Sequence, residues 1–385
     1  MTIAEIQNDE SLRRRLFPVA ERQVFLAHAG VCSLPSPVAD AMNAFTRQGM
    51  LGDQESFFPA RMMNETRELS ARLIGADPSE VAFVGPTSLA LSYIAGGLPW
   101  KKGDNVVVYR ADYPSNVYPW MALESRGVDL KYIETQEPGA IEWEHIERLI
   151  DDRTKLVALA SCHFLSGYRI DIDGIGQKLR ERGILFSLDA IQTCGAMPTD
   201  VRYVDFLAAD AHKWMLGPCS AGILYVAKEH WETLRPIVFG WNNVDSPDFV
   251  TQDTLTLSPG ARRYEAGTLN LVGLAGMRAG LELELELGID RIAADLHAKR
   301  RFLIGELTAR GFEVLHEKEP DERVSGIVSF RDPNGDMNAL FTKLSDGGVT
   351  ASLRTAHGQG QWLRFSPHFY NTEAELARAV ALLDS

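Results

Sequence analysis

Cysteine is scarce in this chain: four in 385 residues, at positions 32, 162, 194 and 219. No two form a Cys-x-x-Cys pair, which argues against a structural zinc site, and so small a number fits a reducing compartment. No metal is expected. No run reaches 18 apolar residues, so no membrane span is expected. Positive charge is in deficit, with 39 Lys and Arg against 52 Asp and Glu, a net charge of −13. That balance argues against nucleic acid or an anionic membrane surface as a partner. The opening stretch, MTIAEIQNDESLRRRLF, lacks an apolar run followed by a small-residue cleavage site. No secretory signal is therefore read there, and a cytoplasmic protein is expected. A dinucleotide fingerprint is also missing, because Gly174-Ile175-Gly176 lacks the third glycine.

What is present is ordinary globular composition, 45% hydrophobic and 24% charged, in a chain long enough to bury a sizeable core. Short, continuously apolar runs at Val106–Tyr109, Leu156–Ala160, Ile184–Leu188, Phe206–Ala208 and Gly222–Val226 read as strands covered on both faces. Helical patterns lie between them, at Ile141–Leu149 and Ile175–Arg182. The alternation predicts an α/β fold with a large, doubly wound, mainly parallel sheet. Leu281–Leu287 reads LELELEL, a period of two, yet Glu and Leu favour a helix. Beyond about residue 295 the pattern changes. Gly326–Phe330 and Leu363–Phe365 read as strands between helices Ala298–Arg310 and Thr372–Leu383. The expected organisation is a segment 1–20 packing on the small domain, a large domain 21–295, and a smaller C-terminal α+β domain 296–385.

In a doubly wound sheet, ligands sit at the carboxyl ends of strands. Asp189 follows one such end and His212-Lys213 another, with Gln192 between them. An amine near a carboxylate that can protonate a pyridine ring suits pyridoxal 5'-phosphate. Asp189 can hold the ring nitrogen protonated, and Gln192 can donate to the ring oxygen. Thr87 and Ser88 open a helix-like run, Leu89–Gly96, where backbone N–H groups attract phosphate.

The stretch LDAIQTCGAMPTDVRYVDFLAADAHKWMLGPCSAGILYV resembles the cofactor-attachment region of class V aminotransferase-like enzymes of fold type I. That group includes cysteine desulfurases, kynureninases and isopenicillin N epimerases. The resemblance covers nearly the whole chain. It implies a pyridoxal-phosphate enzyme with Lys213 as the Schiff-base lysine, Asp189 on the pyridine nitrogen, Gln192 on the phenolic oxygen and His212 near the cofactor. In Asp112-Tyr113-Pro114-Ser115-Asn116, Tyr113 takes the place of the aromatic or His that stacks on the ring, and Asn116 is placed with the cofactor-binding set. Glu265-Ala266-Gly267-Thr268-Leu269-Asn270 matches Glu-x-Gly-Thr-x-Asn, whose Thr reaches the neighbouring subunit's phosphate. Thr268 would do so in a homodimer with shared active sites. Trp241 matches a tryptophan on a partner-facing loop. Arg364 resembles the arginine that grips the substrate α-carboxylate, a task suited to its planar fork, and Arg354 is a second candidate.

Departures from the family narrow the reaction. The stretch Arg354-Thr355-Ala356-His357-Gly358-Gln359-Gly360 has no cysteine to take up sulfur, so a cysteine desulfurase is rejected at this stage. Asp210 stands where many desulfurases carry a Ser near the phosphate and is expected to turn away from it. The small amino-acid substrate is then expected to undergo transamination, with β-elimination at a C–S bond, epimerisation or a kynureninase-like reaction as alternatives. A non-enzymatic regulator is disfavoured, because no basic patch or DNA-binding extension is visible. Specificity is expected from loops near His28, Phe57–Phe58, His163 and His357.

Overall fold

The fold is described from a computed structural model covering residues 1–57, 60–356, 358 and 360–384. Seven strands form the large sheet, in the spatial order Val81–Phe83, Gly222–Val226, Phe206–Asp210, Leu185–Asp189, Thr154–Ala160, Asn105–Tyr109, Asp129–Ile133. The five strands from Phe206–Asp210 to Asp129–Ile133 run parallel. Gly222–Val226 and Val81–Phe83 each join antiparallel to their neighbour. The apolar runs are continuous because both faces are covered. Val107, Val157, Leu159 and Phe186 enter one core cluster, whereas Val106, Val108, Leu156 and Ala158 enter another. Helices Ile172–Glu181 and Leu271–Leu287 seal the first face, and helix Thr87–Gly97 the second.

Helix Leu271–Leu287 contains LELELEL, so helix propensity prevails over the period of two. Its leucines divide between neighbours: Leu281 faces the large-sheet core, while Leu283 and Leu287 pack with Phe17, Trp214 and Phe369. Gly280 lets this helix approach the loop after Lys213, since a Cβ there would lie 2.6 Å from the Met215 carbonyl oxygen. The expected helix Ile141–Leu149 is shorter, Trp143–Glu147, and the helix expected from Ile175 begins at Ile172 on an Asp171 cap.

A second, four-stranded antiparallel sheet has the order Ser352–Ala356, Gly360–Phe365, Val328–Arg331, Glu313–Val314. Helices Ile289–Ala309, Met337–Asp346 and Glu373–Ala381 pack on it through Leu303, Leu344, Phe365 and Leu376. Burying each such side chain contributes about 1.5–3 kcal/mol. The N-terminal residues dock beside this unit: Phe17 stacks on Tyr370 at 4.0 Å, and Arg13 pairs with Glu375 at 2.8 Å. Val24–Phe25 then pairs in parallel with Val349–Thr350. Strand Gly360–Phe365 thus places Arg364 opposite the carboxyl ends of the large sheet. Among the described residues, no helix is long and apolar enough to cross a membrane.

Candidate active site

A cavity of about 470 Å³ opens where the large-sheet strands end. Lys213 enters it from the loop after Phe206–Asp210, and Asp189 from the last position of Leu185–Asp189. The lysine loop carries positive φ at Leu216 and Ser220, a conformation held in place by its surroundings. Lys213 is buried, with its Nζ 5.3 Å from the Tyr113 ring centroid. Burial pushes its amine down to about 8, against the pull of Asp189. A substantial neutral fraction near neutral pH makes the amine a usable nucleophile and base. Asp189 is buried too, and burial pushes its carboxyl up; its Oδ1 accepts the Ile191 N–H at 3.1 Å.

Thr87 and Ser88 begin helix Thr87–Gly97 at the cavity wall. The Thr87 hydroxyl accepts the Asp210 N–H at 2.9 Å, tying the helix start to the lysine-bearing strand. Asp210 is buried and committed elsewhere: Oδ1 faces His212 Nδ1 at 2.7 Å and Oδ2 accepts the Ser220 N–H at 3.2 Å. Gln192 also lines the cavity. Its Nε2 donates to the Ala29 carbonyl at 3.1 Å and its Oε1 accepts Trp214 Nε1 at 2.8 Å.

Arg364 and Arg354 close the opposite side. Arg364 is 1% exposed, and burial followed by the Arg354 charge lowers its guanidinium to about 9. It donates to the Phe164 carbonyl and to Ser352 Oγ, yet its Nε has no partner among the described residues, and neither has that of Arg354. The two guanidinium groups converge: a Cβ on Gly30 would lie 3.5 Å from Arg354 Nη2 and 3.7 Å from Arg364 Nη2. A buried arginine without an acid is costly unless a ligand supplies one.

These residues fit pyridoxal phosphate. A buried amine, a buried carboxylate, an aromatic wall and a helix start surround one cavity of suitable size. Three residues expected in the cofactor set lie apart from this cavity. Asn116 is buried beneath it, bonded to Asp112 and Trp120. Trp241 and Thr268 line a separate hollow of about 370 Å³, where Thr268 donates to Glu55. His28 and His163 are buried and internally bonded, to Tyr370 and to Ser166 among others. Phe58 and His357 lie outside the described residues. Sequence reasoning missed the roles of Ala29 and Gly30, on a loop with no motif, and of Asp112, whose only signal is its place before Tyr113.

The Aminotransferase class-V family model matches residues 24–378. The chain is 30% identical, over 94% of each chain, to a probable cysteine desulfurase of Methanothermobacter thermautotrophicus. Its fold superposes on the cysteine desulfurase of Thermococcus onnurineus with a TM-score of 0.87 at 25% identity, covering 96% of each chain. The cystine C–S lyase C-DES, whose structure was solved with its product cysteine persulfide, superposes at 0.85 with 21% identity, covering 96% of this chain and 99% of that one. These relatives overturn the expectation that a cysteine desulfurase is excluded, and with it the preference for transamination. The absence of a cysteine from residues 354–360 is therefore not enough to exclude a cysteine desulfurase. The chain belongs to the class V aminotransferase family and is a pyridoxal-phosphate-dependent enzyme.

Proposed function

We propose that this enzyme cleaves the Cβ–S bond of a cysteine-type amino acid in the cavity around Lys213. The observation that carries this reading is the 30% identity, over 94% of each chain, to a relative named as a probable cysteine desulfurase. When bound, pyridoxal phosphate supplies an electron sink for negative charge at the substrate α-carbon. In this reading Asp189 keeps a proton on the pyridine nitrogen, Thr87, Ser88 and His212 surround the phosphate, Gln192 faces the phenolic oxygen, and Tyr113 walls the ring. Arg364 holds the α-carboxylate through its fork, which aims the α-proton at Lys213. Lys213 removes that proton as general base. In elimination the Cβ–S bond then breaks with its electron pair going to sulfur, giving pyruvate and ammonia after addition of water. In the desulfurase form a thiol takes the sulfur while the electron pair stays on Cβ, which is protonated to give alanine.

One feature favours a substrate that carries its own sulfur away. No cysteine is among the described residues lining the cavity. Cystine, the substrate class named for C-DES, meets this condition, since its sulfur leaves as a persulfide on the departing half. Its second carboxylate also matches the second guanidinium, Arg354. The test is product analysis of the cofactor-loaded enzyme with L-cystine and L-cysteine. Pyruvate, ammonia and cysteine persulfide from cystine support the reading. Alanine with sulfur transferred to an added thiol supports the desulfurase form. A keto acid formed only with an amino acceptor, and no sulfur released, contradicts both.

The same proposal includes a homodimer. Ile237, Val238, Phe239, Trp241, Val250 and Leu255 form an exposed apolar segment beside the hollow that holds Thr268. Exposed apolar side chains of this kind suit an interface, and a second copy would cover them while bringing Trp241 and Thr268 to the neighbouring cofactor. A mass of two chains by light scattering supports this, and one chain opposes it. Four free, unpaired cysteines support a cytoplasmic location.

A further inference from the structure

Tyr113 is the aromatic wall of the cavity, but it belongs to neither helix nor strand. Its backbone is extended, at φ −61° and ψ 138°, and the residue is 45% exposed. Its ring touches Phe164 edge-on at 5.4 Å. Such a residue would drift unless its backbone were held.

Two neighbours hold it. The Tyr113 N–H donates to Asp112 Oδ1 at 2.7 Å, and its carbonyl accepts the Asn116 N–H at 2.9 Å. The two side chains are themselves joined, Asn116 Nδ2 donating to Asp112 Oδ2 at 3.0 Å. Asn116 Oδ1 then accepts Trp120 Nε1 at 3.2 Å. Trp120 is fully buried in the core on one face of the large sheet. A continuous chain of hydrogen bonds therefore runs from the core to the peptide that carries the ring. Every link has one donor and one acceptor, so its polarity is fixed along the whole path. The acid is conspicuous here: Asp112 is buried, and desolvation together with the charge of Asp189 pushes it up to about 7. Asp189 and the Cys162 thiol are titratable groups that face it. Burying a carboxyl next to another carboxylate is unfavourable, so its retention points to the bonds it makes.

We infer that Asp112 and Asn116 are a pair of positioning residues that clamp Tyr113 at both ends of its peptide and so set its ring against Lys213. Neither residue touches the reacting atoms; both act through Tyr113. This rests on the reading that the cofactor occupies the cavity under that ring.

The polarity of the clamp supplies its test. Asp112→Asn places two amide donors face to face, and Asn116→Asp places two carboxyls face to face. The double variant Asp112→Asn with Asn116→Asp restores the pairing with donor and acceptor exchanged. The readouts are the rate at which pyridoxal phosphate leaves the holoenzyme, followed by absorbance, and its visible circular dichroism, with thermal midpoint as the folding control. Each single variant is expected to release cofactor about tenfold faster, the worth of one or two buried hydrogen bonds. The double variant is expected to return to within about threefold of wild type. Singles that match wild type, or a folded double no better than the worse single, overturn the clamp. Should the singles not fold, Trp120→Phe keeps the test open, because it removes only the distal N–H; release about threefold faster supports the clamp and no change opposes it. A wild-type protein that never takes up the cofactor refutes the cavity reading instead.

Discussion

Two arginines buried almost equally well behave oppositely. Arg67, 6% exposed, meets Glu265 in a two-point contact at 2.7 and 3.1 Å and also donates to the Val81 carbonyl. Glu265 in turn accepts the Phe83 N–H at 2.7 Å, so the pair fastens an edge strand of the large sheet. Among the described residues Arg364, 1% exposed, meets a carbonyl and a hydroxyl, and its Nε is left over. The first is an internally completed ion pair. The second is half of one, and in the proposed reading its other half is a substrate carboxylate. Burial alone does not separate structure from function; the missing partner does.

This comparison can be broken by experiment. The largest effect is expected at Arg364. Arg364→Gln should raise KM for the amino-acid substrate about 100-fold, the worth of a buried two-point carboxylate contact. Stability should hold or rise, since an unpaired buried charge is removed. Thermal unfolding and substrate titration of one preparation check both halves. Arg67→Gln should do the reverse. It strands Glu265 as an unpaired buried charge and should cost about 3–5 kcal/mol in denaturant unfolding, with KM unchanged in the folded fraction. Equal stability losses in the two variants would erase the distinction.

A smaller effect concerns pH. In the proposed reading, cofactor capture needs the neutral amine of Lys213, which burial lowers to about 8. The protonated form dominates below that value. Uptake by cofactor-free protein should therefore rise about tenfold per pH unit from 6 to 7.5 and level off above about 8. Stopped-flow absorbance checks this, and a rise continuing past pH 10 would mean that the amine is not depressed.

Much of the fold was legible because both-face burial writes itself as unbroken apolar runs, as in Leu156–Ala160 and Phe206–Ala208. Element ends were less legible. Thr154 belongs to a strand through its pairing with Asn105, which no local pattern encodes. Lys213, Asp189, Gln192 and Arg364, expected in one site, line one cavity; for Asp189 and Lys213 the signal is their place just after apolar strand runs, and for Arg364 it is the family resemblance. Asn116 was assigned to the cofactor, but it lies a layer below, where its amide serves Asp112 and Trp120. Trp241 and Thr268 line a hollow separate from the Lys213 cavity, a placement that no local sequence pattern encodes. A single absent side chain does not exclude a desulfurase, since the whole-chain likeness to such enzymes stands without it.

The central claim is that Lys213 is the residue that holds the cofactor beside Asp189 and Arg364. Borohydride reduction of the holoenzyme followed by peptide mass mapping tests it most directly. The predicted result is a single modified peptide, carrying the pyridoxyl group on Lys213 and vanishing in Lys213→Ala. Modification of another lysine, or none despite saturating pyridoxal phosphate, would contradict it.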